Sequence, residues 1–161
     1  YAELRQHPTK RYRNRDMAGV DTIVLHHSAS SPRKPADGWQ SYIDAVAKYH
    51  VGHNGWPGIA YHYVIDPDGV AYKCQPVKRR TYHAKGGNTN GIGICLLGDF
   101  TADGPGETQL RALRALVADI RRTMPGIKHV IGHRDVPGSS TACPGSAFSA
   151  SVINVLEATT C

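Results

Sequence analysis

Apolar residues along this chain fall into short blocks separated by polar, glycine-rich stretches, and their spacing changes from block to block. Residues 20–26 (VDTIVLH) form a compact apolar run of strand length that ends on a histidine. From Trp39 to His50 the apolar positions Trp39, Tyr42, Ile43, Val46 and Ala47 recur with helical spacing, and Asp37 is placed to cap that helix. A glycine-rich loop at 51–60 leads into YHYVI (61–65), the turn DPDG (66–69) and VAYKC (70–74), which read as a β-hairpin. GIGICLL (91–97) reads as a strand buried on both faces. A second helix is expected from Thr108 to about Met124: Leu110, Leu113, Leu116, Val117 and Ile120 share one face, and Arg111, Arg114, Arg121 and Arg122 lie mostly outside it. IKHVIG (127–132) is a short strand entering a polar loop at 133–145, and Phe148 to Glu157 reads as a last helix.

Strands and helices alternate throughout, which predicts an α/β fold: a single domain with a central mixed β-sheet flanked by helices. The 161 residues suit one hydrophobic core, and no internal repeat or run of about 18 apolar residues occurs, so no membrane insertion is expected. The chain opens on Tyr1 and carries no recognisable export signal. Charge adds one distinction. The formal net charge is +6, and part of the excess sits in Arg5, Lys10, Arg11, Arg13 and Arg15, ahead of the first apolar run. Residues 1–19 are therefore expected to be a basic, solvated N-terminal arm, and residues 20–161 the folded domain. A basic surface favours polyanions such as nucleic acid, anionic lipid or a bacterial wall. Nucleic acid is disfavoured because the aromatic residues are not interleaved with the basic ones as a base-stacking platform requires. Four cysteines, with no C-x-x-C pair, are too few to staple a chain of this length.

Two places combine histidine or cysteine with the end of a strand. One is Leu25-His26-His27-Ser28; the other is Gly132-His133-Arg134-Asp135, followed ten positions after His133 by Cys143 in TACPG. Two imidazoles and a thiolate are donors that Zn²⁺ prefers, and three protein ligands leave a fourth position open, the catalytic rather than the structural arrangement. Spacing alone does not establish such a site, because a histidine at a strand end is more often a hydrogen-bonded core residue and a single cysteine a small buried hydrophobe.

The order of the motifs is more specific. IVLHHSAS, GIAYHYVIDPDGVAY, HAKGGNTNGIGICLLGDF and GHRDVPGSSTACPG occur in that sequence. Together they closely resemble the zinc-dependent N-acetylmuramoyl-L-alanine amidases, the type 2 superfamily that includes phage endolysins and peptidoglycan recognition proteins. The resemblance spans roughly residues 20–157, and implies that 20–161 is a zinc amidase catalytic domain.

Carried over position by position, the resemblance implies one Zn²⁺ held by His26, His133 and Cys143, with His27 beside the first ligand but not itself a ligand. It makes Tyr61 the active-site tyrosine and places Thr141 where relatives carry lysine or threonine, although the PGSST loop between Val136 and Ala142 is a little longer than in the shorter relatives. His83, opening HAKGGN, matches a histidine lining the substrate cleft; Lys85, Asn88 and Asn90 are expected to meet the stem peptide. His50 and His62 are expected to be buried and not ligands, and Asp135 either to orient an imidazole or to cap its loop. Cys74 and Cys95 are expected as free buried thiols, with a disulfide left open. The implied reaction is hydrolysis of the amide between N-acetylmuramic acid and L-alanine by activated water, on bacterial peptidoglycan, by a monomer. A compact domain of this kind looks most like a phage endolysin, made in the host cytoplasm and released to the wall at lysis. The alternative is a recognition module that binds peptidoglycan without cutting it; a third is an amidase that recycles soluble wall fragments.

Overall fold

A computed structural model of the chain describes residues 1–148, 152–154 and 156. In chain order the elements are β1 (Thr22–His27), α1 (Trp39–Gly52), β2 (Tyr63–Ile65), β3 (Ala71–Lys73), β4 (Gly91–Leu96), α2 (Glu107–Thr123) and β5 (His129–Gly132), with 3₁₀ turns at Met17–Gly19 and His133–Asp135. The five strands form one sheet in the order β3-β2-β4-β1-β5. β1 pairs in parallel with β4 and β5, β2 pairs in parallel with β4, and only the β2–β3 hairpin is antiparallel. The sheet is mixed, as the alternation of elements predicts.

Side-chain alternation along each strand sorts residues between the two faces. Ile23 and Leu25 of β1, Ile92, Ile94 and Leu96 of β4, Ile65 and Val130 are buried against Leu113, Val117 and Ile120 of α2. On the opposite face Val64, Cys95 and Leu97 are buried against Trp39, Ile43 and Ala47 of α1. β2 and β4 are therefore covered by a helix on each side, while on β1 the second face packs Val24 against Ala84 and Val136. Buried Gln109 of α2 donates to the carbonyls of Ile65 and Leu97, both 3.1 Å away, and so ties the outgoing ends of β2 and β4 together.

Two expectations change, and a third is seen in part. Asp37 does not cap α1: the N-cap is Gly38, at φ 97°, and Asp37 instead accepts from the Ser41 hydroxyl. The expected last helix is seen at Val152–Asn154 and Leu156, the remainder lying outside the described residues. Residues 1–19 are not a solvated arm. Their backbone follows the domain, with Ala2 donating to Lys73, His7 to Pro57 and Arg15 to Lys78. Tyr12 is buried and donates to the Gly58 carbonyl at 2.8 Å, while Arg5, Lys10, Arg11 and Arg13 remain exposed. Charge density predicted the exposure of those four residues but was blind to the loop carbonyls that only the tertiary fold presents to Tyr12 and Arg15. Cys74 and Cys95 are buried free thiols. Among the described residues no helix is long and apolar enough to cross a membrane.

Candidate metal centre and cleft

The two adjacent histidines of β1 face opposite ways. His27 continues the Leu25 face; its Nδ1 accepts from the Phe100 amide at 3.2 Å and its ring lies 6.1 Å from that of Phe100. His26 continues the Val24 face and is 1% exposed. Around it the sheet presents small or polar groups, and a cleft of about 400 Å³ opens, lined by His26, Tyr61, His83, His133, Thr141 and Cys143 among others.

His133 and Cys143 reach this cleft from two segments locked together behind it. The Arg134 amide donates to the Cys143 carbonyl at 2.9 Å. A side chain at Gly132 would place its Cβ 2.8 Å from the Pro144 ring, and one at Gly145, where φ is +102°, would lie 2.4 Å from the Phe100 backbone. Gly132 thus lets the cysteine loop close onto the end of β5, and Gly145 lets it lie against the backbone at Phe100. Asp135 caps this turn by accepting from the Gly132 amide at 3.1 Å, which resolves its two expected roles in favour of the cap.

One ligand atom from each of His26, His133 and Cys143 lies within 4.8 Å of the other two. The His26 and His133 rings are 4.7 Å apart, and His26 Nδ1 lies 3.7 Å from Cys143 Sγ. Tetrahedral zinc, with bonds of about 2.05 Å to nitrogen and 2.3 Å to sulfur, sets those two atoms about 3.6 Å apart, so the His26–Cys143 pair is spaced for that ion. Protonation points the same way. Burial holds His26 well below the ordinary imidazole value, helped by its neighbours His83 and His133, and burial also lowers His133, so both offer lone pairs at neutral pH. Burial pushes the Cys143 thiol up to about 11. A thiolate there requires a cation beside it.

Tyr61 precedes β2, and its ring lies 5.3 Å from that of His26. Burial, and the nearby Cys95 and Cys143 thiols, raise its hydroxyl well above the ordinary phenol value. Thr141 is exposed at the rim, and its Oγ1 accepts from the Cys143 amide at 3.2 Å, which leaves the hydroxyl proton directed elsewhere. His83 lines the back of the cleft and is buried, with Nδ1 3.0 Å from His26 Nε2. His50 and His62 are buried away from the donor cluster; His50 accepts from the Ala60 amide and His62 from that of Gly93.

The other expected peptide contacts are not brought to the cleft. Asn88 accepts from the Ala84 amide at 2.8 Å and so closes its own loop. Asn90 donates to Asp21 at 3.0 Å, at the far end of β1 from His26. Lys85 is exposed and lies outside the cleft lining. What the sequence reading missed is a groove of about 360 Å³ that shares Tyr61 with the cleft and is lined by Tyr42, Val46, Tyr49 and His50 of α1 together with Ile59, Cys95 and Leu97. The available signal was a second stripe on α1: Tyr42, Val46 and Tyr49, at i, i+4 and i+7, run beside the buried Trp39, Ile43, Ala47 and His50.

Known proteins share this fold. The bumblebee peptidoglycan recognition protein SA superposes with a TM-score of 0.82 at 24% identity, covering 92% of this chain and 88% of that one. The N-acetylmuramoyl-L-alanine amidase LysC from Clostridium intestinale superposes at 0.73 with 26% identity, covering 93% and 94%. Peptidoglycan-recognition protein SC1a of Drosophila melanogaster is 30% identical over 125 residues, 76% of this chain and 66% of that protein. The N-acetylmuramoyl-L-alanine amidase of Sus scrofa is 28% identical over 135 residues, but this chain spans only 22% of its length. A family model described as N-acetylmuramoyl-L-alanine amidase matches residues 15–146, from Arg15 through the Cys143 loop, and the chain belongs to that family.

Proposed function

We propose that the chain is a hydrolase that cuts the amide between N-acetylmuramic acid and the L-alanine of the peptidoglycan stem, using one Zn²⁺ held by His26, His133 and Cys143. The observation that carries this reading is the convergence of those three donor atoms within 4.8 Å beside Tyr61, in an open cleft. Zinc in such a site brings the pKa of water to about 7 and polarises the amide carbonyl. The chain supplies the rest. Because its pKa is raised, Tyr61 keeps its proton at neutral pH and acts as a hydrogen-bond donor to the carbonyl oxygen as charge develops there. Thr141, at the rim, is a second donor. The groove under α1 receives the stem peptide, and its tyrosines pack against the aliphatic parts of that chain.

A second reading, recognition without cleavage, is supported by the likeness to peptidoglycan recognition proteins. The intact His–His–Cys set favours hydrolysis, since binding alone needs no metal donors. The site of action in either case is the bacterial wall, and the enzyme reading fits an endolysin. Mass spectrometry of purified peptidoglycan digested with zinc-loaded protein, beside a chelated sample, separates the two. Hydrolysis releases intact stem peptides with a free L-alanine amine, and chelator abolishes it. Sacculi that sediment the protein but stay uncut establish the recognition reading instead.

A further inference from the structure

His83 lines the cleft, yet both of its nitrogens face protein groups. Nε2 lies 3.1 Å from the Gly91 carbonyl, an acceptor only, so that nitrogen carries the ring proton. A neutral imidazole then has a lone pair on Nδ1, which lies 3.0 Å from His26 Nε2. His26 must donate across that contact, which places its own proton on Nε2 and leaves Nδ1 bare. Nδ1 is the atom that lies 3.7 Å from the Cys143 sulfur. The opposite arrangement would set the His83 Nε2 lone pair against the lone pairs of a carbonyl.

The surroundings are built to hold this relay. A Cβ at Gly93 would lie 2.6 Å from His83 Cγ, and one at Gly91 3.2 Å from Cε1, so the two glycines of β4 form a notch for the ring. Arg15 donates to the same Gly91 carbonyl at 2.6 Å and to the carbonyls of Asn88 and Val77 at 3.0 and 2.7 Å, which clamps the loop before β4. The ring of His62 closes the remaining side, 5.7 Å from that of His83.

We propose that His83 is a positioning residue of the metal centre, fixing His26 in the tautomer that presents Nδ1 to the ion, with Arg15 holding the carbonyl that orients His83. The inference rests on the zinc reading above. Metal-ligating histidines generally donate their second N–H to an outer partner, and loss of that partner typically weakens metal affinity by about 10–100-fold. Here the partner is another imidazole.

The test is zinc affinity, measured by competition with a chromophoric chelator, for the wild type, His83→Leu and His83→Asn. The leucine variant should bind zinc about 10–100-fold more weakly. The asparagine variant, whose Oδ1 can accept from His26 Nε2, should recover most of the loss. In the wild type, ¹⁵N-resolved NMR should find His83 protonated on Nε2 alone, a readout that needs no variant to fold. A leucine variant with wild-type zinc affinity and only a raised KM on soluble muropeptide overturns the proposal and returns His83 to substrate contact. A protonated His83 Nδ1 overturns it too. A wild type that takes up no zinc overturns the metal reading itself, and this inference with it.

Discussion

The ring of Tyr61 lies 5.3 Å from that of His26, and burial, with the nearby Cys95 and Cys143 thiols, holds the tyrosine hydroxyl well above the ordinary phenol value. The tyrosine is thus a protonated donor at the wall of the cleft, beside the donor cluster. Replacing Tyr61 by Phe should lower turnover by about tenfold or more while zinc content stays at one ion per chain, because one donor to the developing oxyanion is lost. Steady-state rates on a soluble muramoyl peptide, with metal analysis of the same samples, check this. Near-normal turnover removes Tyr61 from the reaction.

Cys143→Ser should lose both metal and activity. A serine hydroxyl is far harder to deprotonate than a thiol that burial already places at about 11. Equilibrium dialysis followed by elemental analysis gives the zinc content. Hydrolysis by a zinc-free serine variant contradicts the metal reading.

The groove beneath α1 is testable separately from the chemistry. Tyr49 is 56% exposed and lines that groove without touching the donor cluster. Tyr49→Ala should raise KM several-fold, as expected when about 1 kcal/mol of aromatic contact is removed, with kcat and zinc affinity unchanged. A fall in kcat at constant KM would place the stem peptide elsewhere.

The buried histidines make the fold acid-sensitive apart from any metal. Burial lowers His50 to about 4, and burial together with Arg15 lowers His62 to about 3. His62 is faced by Arg15 and His83, and His50 by the rings of Tyr49, Trp56 and Tyr61. Both folded values lie below the unfolded value of about 6.5. Below that pH the unfolded chain binds protons the folded chain refuses, so stability is complete above about pH 6.5 and declines towards pH 4. Melting temperatures of chelator-treated protein should fall steadily from pH 7 to 4.5, and His62→Gln should flatten the slope. A constant melting temperature over that range contradicts the assignment.

Much of this was legible in the sequence because the relevant signals are local. The apolar run through Leu25 and the spacing of Leu113, Val117 and Ile120 report burial on a strand and on a helix, and the structure places them there. His26, His133 and Cys143 were picked out by ordered motifs, and the fold does bring them together. The misjudged residues are those whose partners are distant in sequence. Asn90 looked free for a peptide but is held by Asp21, 69 positions earlier. Arg15 read as one more charge in a basic segment, yet its guanidinium is held by His62 and by carbonyls 62 to 76 positions away. Position relative to a motif says that a side chain is nearby, but not which way it points.

The glycine notch in β4 sets a limit on how this sheet can be engineered. Gly91 and Gly93 lie in a central strand, where a glycine is less stable than alanine by roughly 0.5–1 kcal/mol, so a search for thermostabilising changes would turn to them first. Alanine at 93 must displace the His83 ring to fit, and the displaced ring can no longer hold His26. A Cβ at 91 would in turn lie 2.5 Å from the Gly87 carbonyl, so overpacking, at about 1–3 kcal/mol, outweighs the usual gain at both positions, and a thermostability screen has to leave the two glycines fixed.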